Sequence, residues 1–274
     1  MNLPLKNRPI GIFDSGLGGL TAVKELERLL PSESFVYFGD TGRIPYGTKS
    51  NETIRRYAAQ DIRFLRSHQV KAILVACGTV SSVAGDVCEA SGVPTFNVLG
   101  ATAAAACRTT KNRRIAVIGT PATIASGAYR KALLTLDSDL FVRELACPMF
   151  VPLVENGYLD PADPVVRLVV ARSLAQIPKD QVDTLILGCT HFPLLSAAIA
   201  NQLGTSVTLI NSGREAAAAL AAFLVSADLL KEEPLPTVKR YYVSDTARVF
   251  STVAATFLGH SVCGETAQIN IESY

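Results

Sequence analysis

Two cysteines stand at equivalent places in two similar stretches of the sequence. Residues 70–79 read VKAILVACGT and residues 182–191 read VDTLILGCTH, and the two stretches align without a gap. In each, a short apolar run rich in branched residues is followed by a small residue and then by cysteine, Cys77 in the first and Cys189 in the second. Such runs are typical of buried parallel strands, and open α/β sheets place functional residues in the loops that follow them. We therefore predict that each thiol lies where a strand ends.

Two facing thiols can move a proton on a carbon atom. Inverting an amino acid at Cα requires a base on one face and an acid on the other. The two groups must be chemically similar, because the reverse reaction exchanges their roles. A free thiol is only about 3% thiolate at pH 7, and we expect the helix after each cysteine to lower the thiol pKa. We expect Asp14 and Ser15 beside the first thiol and Glu155 and His191 beside the second. These polar residues would make the pKa values of the two thiols differ.

Backbone N–H groups at the helix starts, with the hydroxyls of Thr79 and Thr190, are candidates for holding carboxylates and the charge that develops on proton removal. Each candidate also has a purely structural interpretation. A single cysteine at a strand end usually only packs, His191 could cap a helix, and Asp14 could be the N-cap of the first helix. The repetition of the cysteine strand is what favours chemistry.

Composition excludes several classes of protein. The 274 residues are 49% hydrophobic and 18% charged, which is too apolar for disorder and enough for two modest domains. The formal net charge is +2 and no dense Lys/Arg run occurs, so a nucleic-acid partner is not indicated. The first residues lack the apolar region of a signal peptide, and the longest apolar stretch, 216–225, is much shorter than the ~20 residues that span a bilayer. We expect a cytoplasmic protein with no membrane partner.

The six cysteines show no close spacing of the kind that binds zinc, and a reducing compartment disfavours disulfides. Cys88, Cys107 and Cys263 are interpreted as small buried hydrophobic residues. The glycine-rich segment 16–19 lacks the third glycine of a dinucleotide site and the lysine of a P-loop. We therefore expect no metal and no cofactor.

Apolar runs alternate with helical patterns along the chain, which is typical of α/β proteins with parallel strands. Residues 113–120 match residues 8–15 by type, so the repeat includes the first strand as well as the cysteine strand of each half. This predicts two pseudo-symmetric α/β domains with mostly parallel sheets. The active site is expected in the cleft between them, with both cysteines facing it.

At these residues the chain resembles the glutamate racemases, a cofactor-independent family that makes D-glutamate for peptidoglycan. The resemblance runs nearly end to end and rests on four motifs in order: GIFDSGLGGLT at 11–21, Asp40 with PYG at 45–47, Cys147-Pro148 with VPLVE at 151–155, and GCTHFPLL at 188–195. It implies two α/β domains, the first completed by a C-terminal segment, glutamate as the substrate and a homodimer. We place the first domain at residues 1–98 plus 208–274 and the second at residues 99–207.

By this resemblance, Cys77 and Cys189 are the two acid/base residues. Asp14 would assist the first, and Glu155 and His191 would assist the second. The backbone of Tyr46 and Gly47 would lie near the side-chain carboxylate of glutamate. The residues implied to bind substrate are Asp14, Ser15, Tyr46, Gly47, Gly78, Thr79, Thr123, Thr190 and His191.

Gly78 is a departure from the family's pattern. The family's first cysteine motif reads Ala-Cys-Asn-Thr-Ala, whereas residues 76–80 here read ACGTV. Losing one hydrogen bond to a charged group costs about 1.5–3 kcal/mol, part of which water could restore. Two alternatives therefore stay open, a racemase of another small amino acid such as aspartate and a weakly active paralogue kept for binding. A cysteine-nucleophile hydrolase does not explain why the cysteine strand occurs twice.

Overall fold

The computed structural model describes residues 3–178, 181–232 and 235–274. The strands are β1 (Ile10–Asp14), β2 (Phe35–Gly39), β3 (Ala72–Val75), β4 (Thr95–Asn97), β5 (Arg114–Gly119), β6 (Phe141–Ala146), β7 (Thr184–Leu187), β8 (Thr208–Asn211), β9 (Lys239–Val243) and β10 (Glu265–Gln268). The α-helices are α1 (Leu20–Leu29), α2 (Asn51–Ser67), α3 (Gly78–Val83), α4 (Gly85–Glu89), α5 (Val98–Thr109), α6 (Pro121–Ala125), α7 (Ala128–Leu136), α8 (Phe150–Glu155), α9 (Pro164–Leu174), α10 (Ser196–Leu203), α11 (Ser212–Ser226) and α12 (Ala247–Leu258). None of the helices in these ranges combines the length and the apolar character needed to cross a membrane.

The strands form two sheets, and every strand pairing in the described ranges is parallel. The first sheet has the order β10-β9-β2-β1-β3-β4 and the second has the order β6-β5-β7-β8. The segment β2-β1-β3-β4 of the first sheet therefore has the same arrangement as the whole second sheet. This confirms the predicted α/β class with two similar halves, because β1 and β3 occupy the places that β5 and β7 occupy in the other half.

The central strands are apolar along their length because both faces of each sheet are covered. In β3, Leu74 packs into a core shared by the two halves, whereas Ile73 and Val75 pack into a second core on the opposite face. In β7, Leu185 packs into the shared core and Ile186 into a third. Burial on both faces produces continuous apolar runs in place of alternation.

The C-terminal part differs from the sequence prediction in two ways. Strand β10 was not predicted, because its residues are polar and half-exposed at the edge of the first sheet and lack an apolar pattern. Strand β8 pairs with β7, so the chain is still in the second sheet at residue 208, where the sequence analysis placed the return to the first domain. Cys88 is buried as predicted, but Cys107 is half-buried and Cys263 is exposed in the loop before β10.

Candidate active site

Each cysteine lies at the point where the strand order of its sheet reverses. Cys77 follows β3 and Ser15 follows the neighbouring β1, whereas Cys189 follows β7 and Thr120 follows the neighbouring β5. In a parallel sheet covered on both faces, the connections from these two strands leave in opposite directions and open a crevice at the carboxyl ends. The repeated fold therefore brings two such crevices to one place.

The two crevices form one pocket of about 210 Å³. The predicted site residues in its wall are Ser15, Tyr46, Gly47, Cys77, Gly78, Thr79, Glu155, Cys189, Thr190 and His191. Asp14 and Thr123 do not line the pocket but are fully buried behind residues that do. The Asp14 carboxylate accepts a hydrogen bond from the N–H of Gly16, and Thr123 Oγ1 is 3.0 Å from Thr120 Oγ1.

Cys77 caps the N-terminal end of helix α3. Its sulfur accepts a hydrogen bond from the N–H of Val80 at 3.5 Å, and its thiol donates to Ser15 Oγ at 3.4 Å. Burial raises the pKa of Cys77 to about 12, and the negative charge of Asp14 acts in the same direction. The expectation that the helix would lower this pKa is therefore wrong, because the loss of water outweighs the helix terminus. At neutral pH, burial therefore favours the protonated form of this thiol over the thiolate.

Cys189 has a different environment. The helix predicted after it begins as a 3₁₀ turn, Phe192–Leu195, which runs directly into α10. Its sulfur is 3.9 Å from Nδ1 of His191, and Nε2 of that ring is 3.2 Å from Oε1 of Glu155. Burial disfavours a charged imidazole, but hydrogen bonds with Cys189 and Glu155 outweigh it and raise the pKa of His191 to about 10. A cation thus lies beside this sulfur, whereas the charged group on the Cys77 side is acidic.

Asp14 holds the glycine-rich segment 16–19 that follows β1. Its Oδ2 accepts a hydrogen bond from the N–H of Gly16 at 3.0 Å. Helix α1 begins later and is preceded by Gly19, so the alternative in which Asp14 caps this helix is wrong. A Cβ at Gly19 would lie 2.4 Å from the Cβ of Asp14, which explains the glycine there. Burial raises the pKa of Asp14, and the charge of His191 opposes the rise.

An ionic network fixes the loop that carries Tyr46 to the wall of the pocket. The Tyr46 hydroxyl donates to Asp40, whose carboxylate also accepts a hydrogen bond from Arg43 Nε at 2.6 Å. The Arg43 guanidinium reaches Asp61 at 3.2 Å and Glu272 at 3.0 Å. Burial raises the pKa of Asp61 well above its usual range, and the charge of Asp40 adds to this. Sequence analysis missed Asp61 and Glu272, because only the fold brings these distant residues to the loop.

Arg43→Met is expected to lower the free energy of unfolding by about 3–5 kcal/mol, because it leaves the buried carboxylate of Asp40, and the Asp61 carboxyl beside it, without their cationic partner. Urea unfolding at pH 7 measures the change. The matched control is Arg66→Met on the exposed face of α2, which should stay within about 0.5 kcal/mol. Equal unfolding free energies for the two variants would contradict the role given to the network.

Thr120 is a wall residue that sequence analysis missed. Its Oγ1 is 3.0 Å from Thr79 Oγ1, so it joins the two halves above the pocket. A signal was present, since the repeat matches Thr120 with Ser15. The remaining missed wall residues are Gly16, Ile44, Pro45, Thr48, Pro121, Cys147, Pro148, Val151 and Pro152. Gly16, Pro45, Cys147, Pro148, Val151 and Pro152 lie within the motifs quoted above but were not named as site residues, and Ile44, Thr48 and Pro121 carry no signature of a site in their residue types. In the described ranges, no group of three or more His, Cys, Asp or Glu side chains is placed to hold a metal ion.

The comparisons with known proteins agree with this geometry. The sequence matches the Asp/Glu/Hydantoin racemase family over residues 16–220. The glutamate racemase of Chlorobaculum tepidum is 46% identical over 253 residues, which cover 92% of each chain. The crystal structure of glutamate racemase from Francisella tularensis in complex with D-glutamate has a TM-score of 0.91 and 37% identity, with 98% of this chain and 100% of that chain covered. The enzyme from Thermus thermophilus in complex with β-chloro-D-alanine has a TM-score of 0.88 and 41% identity, with 98% and 99% covered. The protein belongs to the Asp/Glu/hydantoin racemase family.

Proposed function

We propose that the protein is a cofactor-independent glutamate racemase in which Cys77 and Cys189 are the two acid/base residues. The observation that carries the proposal is the pair of thiols at equivalent strand ends of two similar halves, lining one pocket. The unlike charges beside the two thiols support it, since a two-base reaction needs one thiolate and one thiol. The choice of glutamate is supported by the similarity to glutamate racemases, one of them in complex with D-glutamate.

The reaction is the exchange of a proton at Cα. One cysteine, as thiolate, takes the Cα proton, and the electron pair stays on Cα next to the α-carboxylate. The second cysteine, as thiol, gives its proton to the opposite face. The configuration is inverted, and the thiolate and thiol have exchanged places. The reverse reaction therefore starts from the other cysteine, and nothing is oxidised or reduced.

The surrounding residues divide between the two thiols. Asp14 assists Cys77, and the pair of Glu155 and His191 assists Cys189 by keeping a cation beside its sulfur. A general acid or base of this kind typically raises the reaction rate by about 10²–10⁴-fold.

The remaining polar wall residues hold the substrate. The hydroxyls of Thr79 and Thr190, the hydroxyl of Ser15 and the backbone N–H groups of Tyr46, Gly47 and Gly78 bind the carboxylates of glutamate. Thr123 acts through its contact with Thr120.

We place the reaction in the cytoplasm, where thiols stay reduced. We also propose that the enzyme is a homodimer and that its product, D-glutamate, is used for peptidoglycan. We also propose that the first domain comprises residues 1–98 and the C-terminal residues after Asn211. The second domain then ends with β8, in agreement with the pairing of β8 with β7.

Proton exchange in D₂O tests the function. Purified protein is given L-glutamate and then D-glutamate, with a chelator present and no pyridoxal phosphate, while optical rotation and deuterium at Cα are followed together. We expect deuterium incorporation together with loss of optical activity from either enantiomer. Exchange with aspartate or another amino acid but not with glutamate would contradict glutamate as the substrate and assign the racemase to that other amino acid. No exchange with any amino acid would contradict a racemase and favour a binding paralogue. Loss of activity on chelation would contradict the cofactor-independent mechanism.

A further inference from the structure

The loops that carry the two cysteines are in direct backbone contact. A Cβ placed at Gly78 would lie 2.2 Å from the carbonyl oxygen of Gly188 and 3.1 Å from its carbonyl carbon. Carbon atoms in packed interiors approach one another to about 3.5–4.0 Å. The φ angle of Gly78 is not in the left-handed region, so any residue could adopt this backbone and only space excludes a side chain.

The partner loop cannot yield to a side chain at position 78. Gly188 is itself packed from behind, since a Cβ on it would lie 2.7 Å from the carbonyl oxygen of Ile118 and 3.2 Å from the ring of Tyr129. Its N–H also donates to that Ile118 carbonyl at 2.8 Å. A methyl group at position 78 therefore has to move one half of the molecule away from the other.

Other contacts around the pocket have the same character. A Cβ on Gly18 would lie 2.2 Å from Thr190 Oγ1, and one on Gly47 would lie 2.8 Å from the Cβ of Thr120. In each case a glycine of the first half faces a residue of the second. The Gly78 contact differs in one respect, because it meets backbone, whereas the other two meet side-chain atoms.

We propose that Gly78 is a positioning residue for the two-thiol reaction: without a side chain, it lets the Cys77 and Cys189 loops close into backbone contact, and this contact sets the separation of the two sulfurs across the substrate. The inference rests on the proposed racemase function. Both proton transfers need the sulfur within about 3–3.5 Å of Cα, and a misplacement of about 1 Å costs on the order of 10²-fold in rate. Gly78 acts through the placement of both cysteines.

For Gly78→Asn, the positioning role predicts a change in activity of opposite sign to the change expected if Gly78 only lacked an amide. If Gly78 only lacked a hydrogen bond, asparagine there would restore it and raise the activity. Because the Gly188 carbonyl occupies the space of the side chain, we expect Gly78→Asn and Gly78→Ala both to lower it. Gly85→Ala is the matched control, since Gly85 is also at the start of a short helix of the same half and its Cβ would meet no atom within 4 Å.

The test compares a reaction that needs both thiols with one that needs a single thiol. Racemisation of glutamate needs both. Elimination from 3-chloroglutamate needs one: a thiolate takes the Cα proton, chloride leaves Cβ with the bonding electrons, and the enamine tautomerises and adds water to give 2-oxoglutarate and ammonium. The ratio of the two kcat values reports the thiol separation, and a general loss of folded protein does not change it.

We expect the ratio of racemisation to elimination to fall on the order of 10²-fold in Gly78→Ala and at least as far in Gly78→Asn, and to stay unchanged in Gly85→Ala. Gly47→Ala, whose methyl would lie 2.8 Å from the Cβ of Thr120 and so overlaps less than the 2.2 Å contact at Gly78, should lower the ratio by a smaller factor and keeps the test available if Gly78→Ala does not fold. An unchanged ratio, or a Gly78→Asn protein more active than the unmodified one, would overturn the inference. Absence of both reactions in the unmodified protein would instead contradict the proposed function, and with it this inference.

Discussion

Serine in place of Cys77 or Cys189 is expected to reduce the racemisation of glutamate by about 10²–10⁴-fold. The hydroxyl keeps the shape of the thiol, so the pocket and substrate binding remain. A serine hydroxyl is a far weaker acid than a thiol, so it can neither act as the base nor supply the proton in time. The loss should therefore be in kcat with little change in KM, measured by polarimetry from each enantiomer.

The matched control is Cys263→Ser, which changes an exposed cysteine outside the pocket and should leave kcat unchanged. The two active-site variants should also differ from each other. Each variant retains elimination from 3-chloroglutamate of the Cα configuration whose proton the remaining cysteine can remove. It loses elimination from 3-chloroglutamate of the opposite Cα configuration. A Cys77→Ser protein that racemises glutamate normally would refute the two-cysteine mechanism.

The strands that carry the site could be predicted from the sequence, and the edge of the first sheet could not. Strands β3 and β7 are buried on both faces, and such strands require continuous apolar runs like those that precede Cys77 and Cys189. Strand β10 has a partner on one side only and a half-exposed polar sequence, and nothing in its residue types required a strand.

The same distinction holds within the pocket. The repeat was sufficient to predict that Cys77 and Cys189 face one cleft, and it contained the signal for Thr120 as the counterpart of Ser15. It was not sufficient for the electrostatics, because the pKa of Cys77 depends on how completely the two halves exclude water from it. The contact of Gly78 with Gly188 was equally hidden, since spacing along the chain does not reveal how closely two loops approach.

Glu155→Gln is expected to shift the alkaline limb of the pH–activity profile to lower pH. Burial alone would disfavour a charged His191, and hydrogen bonds with Cys189 and Glu155 raise the pKa of this residue to about 10. Glutamine keeps an oxygen within reach of Nε2, so the ring stays in place, but the negative charge is gone and the pKa falls. The cation beside Cys189 is then lost at lower pH. At pH 9, kcat should drop by about tenfold for each unit by which the pKa falls below 9.

The same change has a signature in stability. A histidine whose pKa is higher in the folded than in the unfolded state stabilises the fold fully below the unfolded value of 6.5, and this stabilisation is lost as the pH rises through about 10. In Glu155→Gln the pKa in the folded state is lower, so the loss is complete at lower pH. Urea unfolding at a series of pH values from 6 to 10 should show the shift in step with the kcat profile.

The chain contains a matched control for this prediction. His260 and Glu27 form a second histidine–carboxylate pair, with Nε2 and Oε2 2.9 Å apart, on residues that do not line the pocket. The hydrogen bonds that its ring donates to the backbone carbonyl of Ser261 and to the carboxylate of Glu27 raise the pKa of His260 as well. Glu27→Gln removes the same type of charge from the same type of partner, and it should leave the pH dependence of kcat unchanged. If both variants shift the alkaline limb equally, the shift reflects general charge effects and the role given to Glu155 is wrong. A shift in Glu155→Gln alone assigns the limb to the imidazolium beside Cys189.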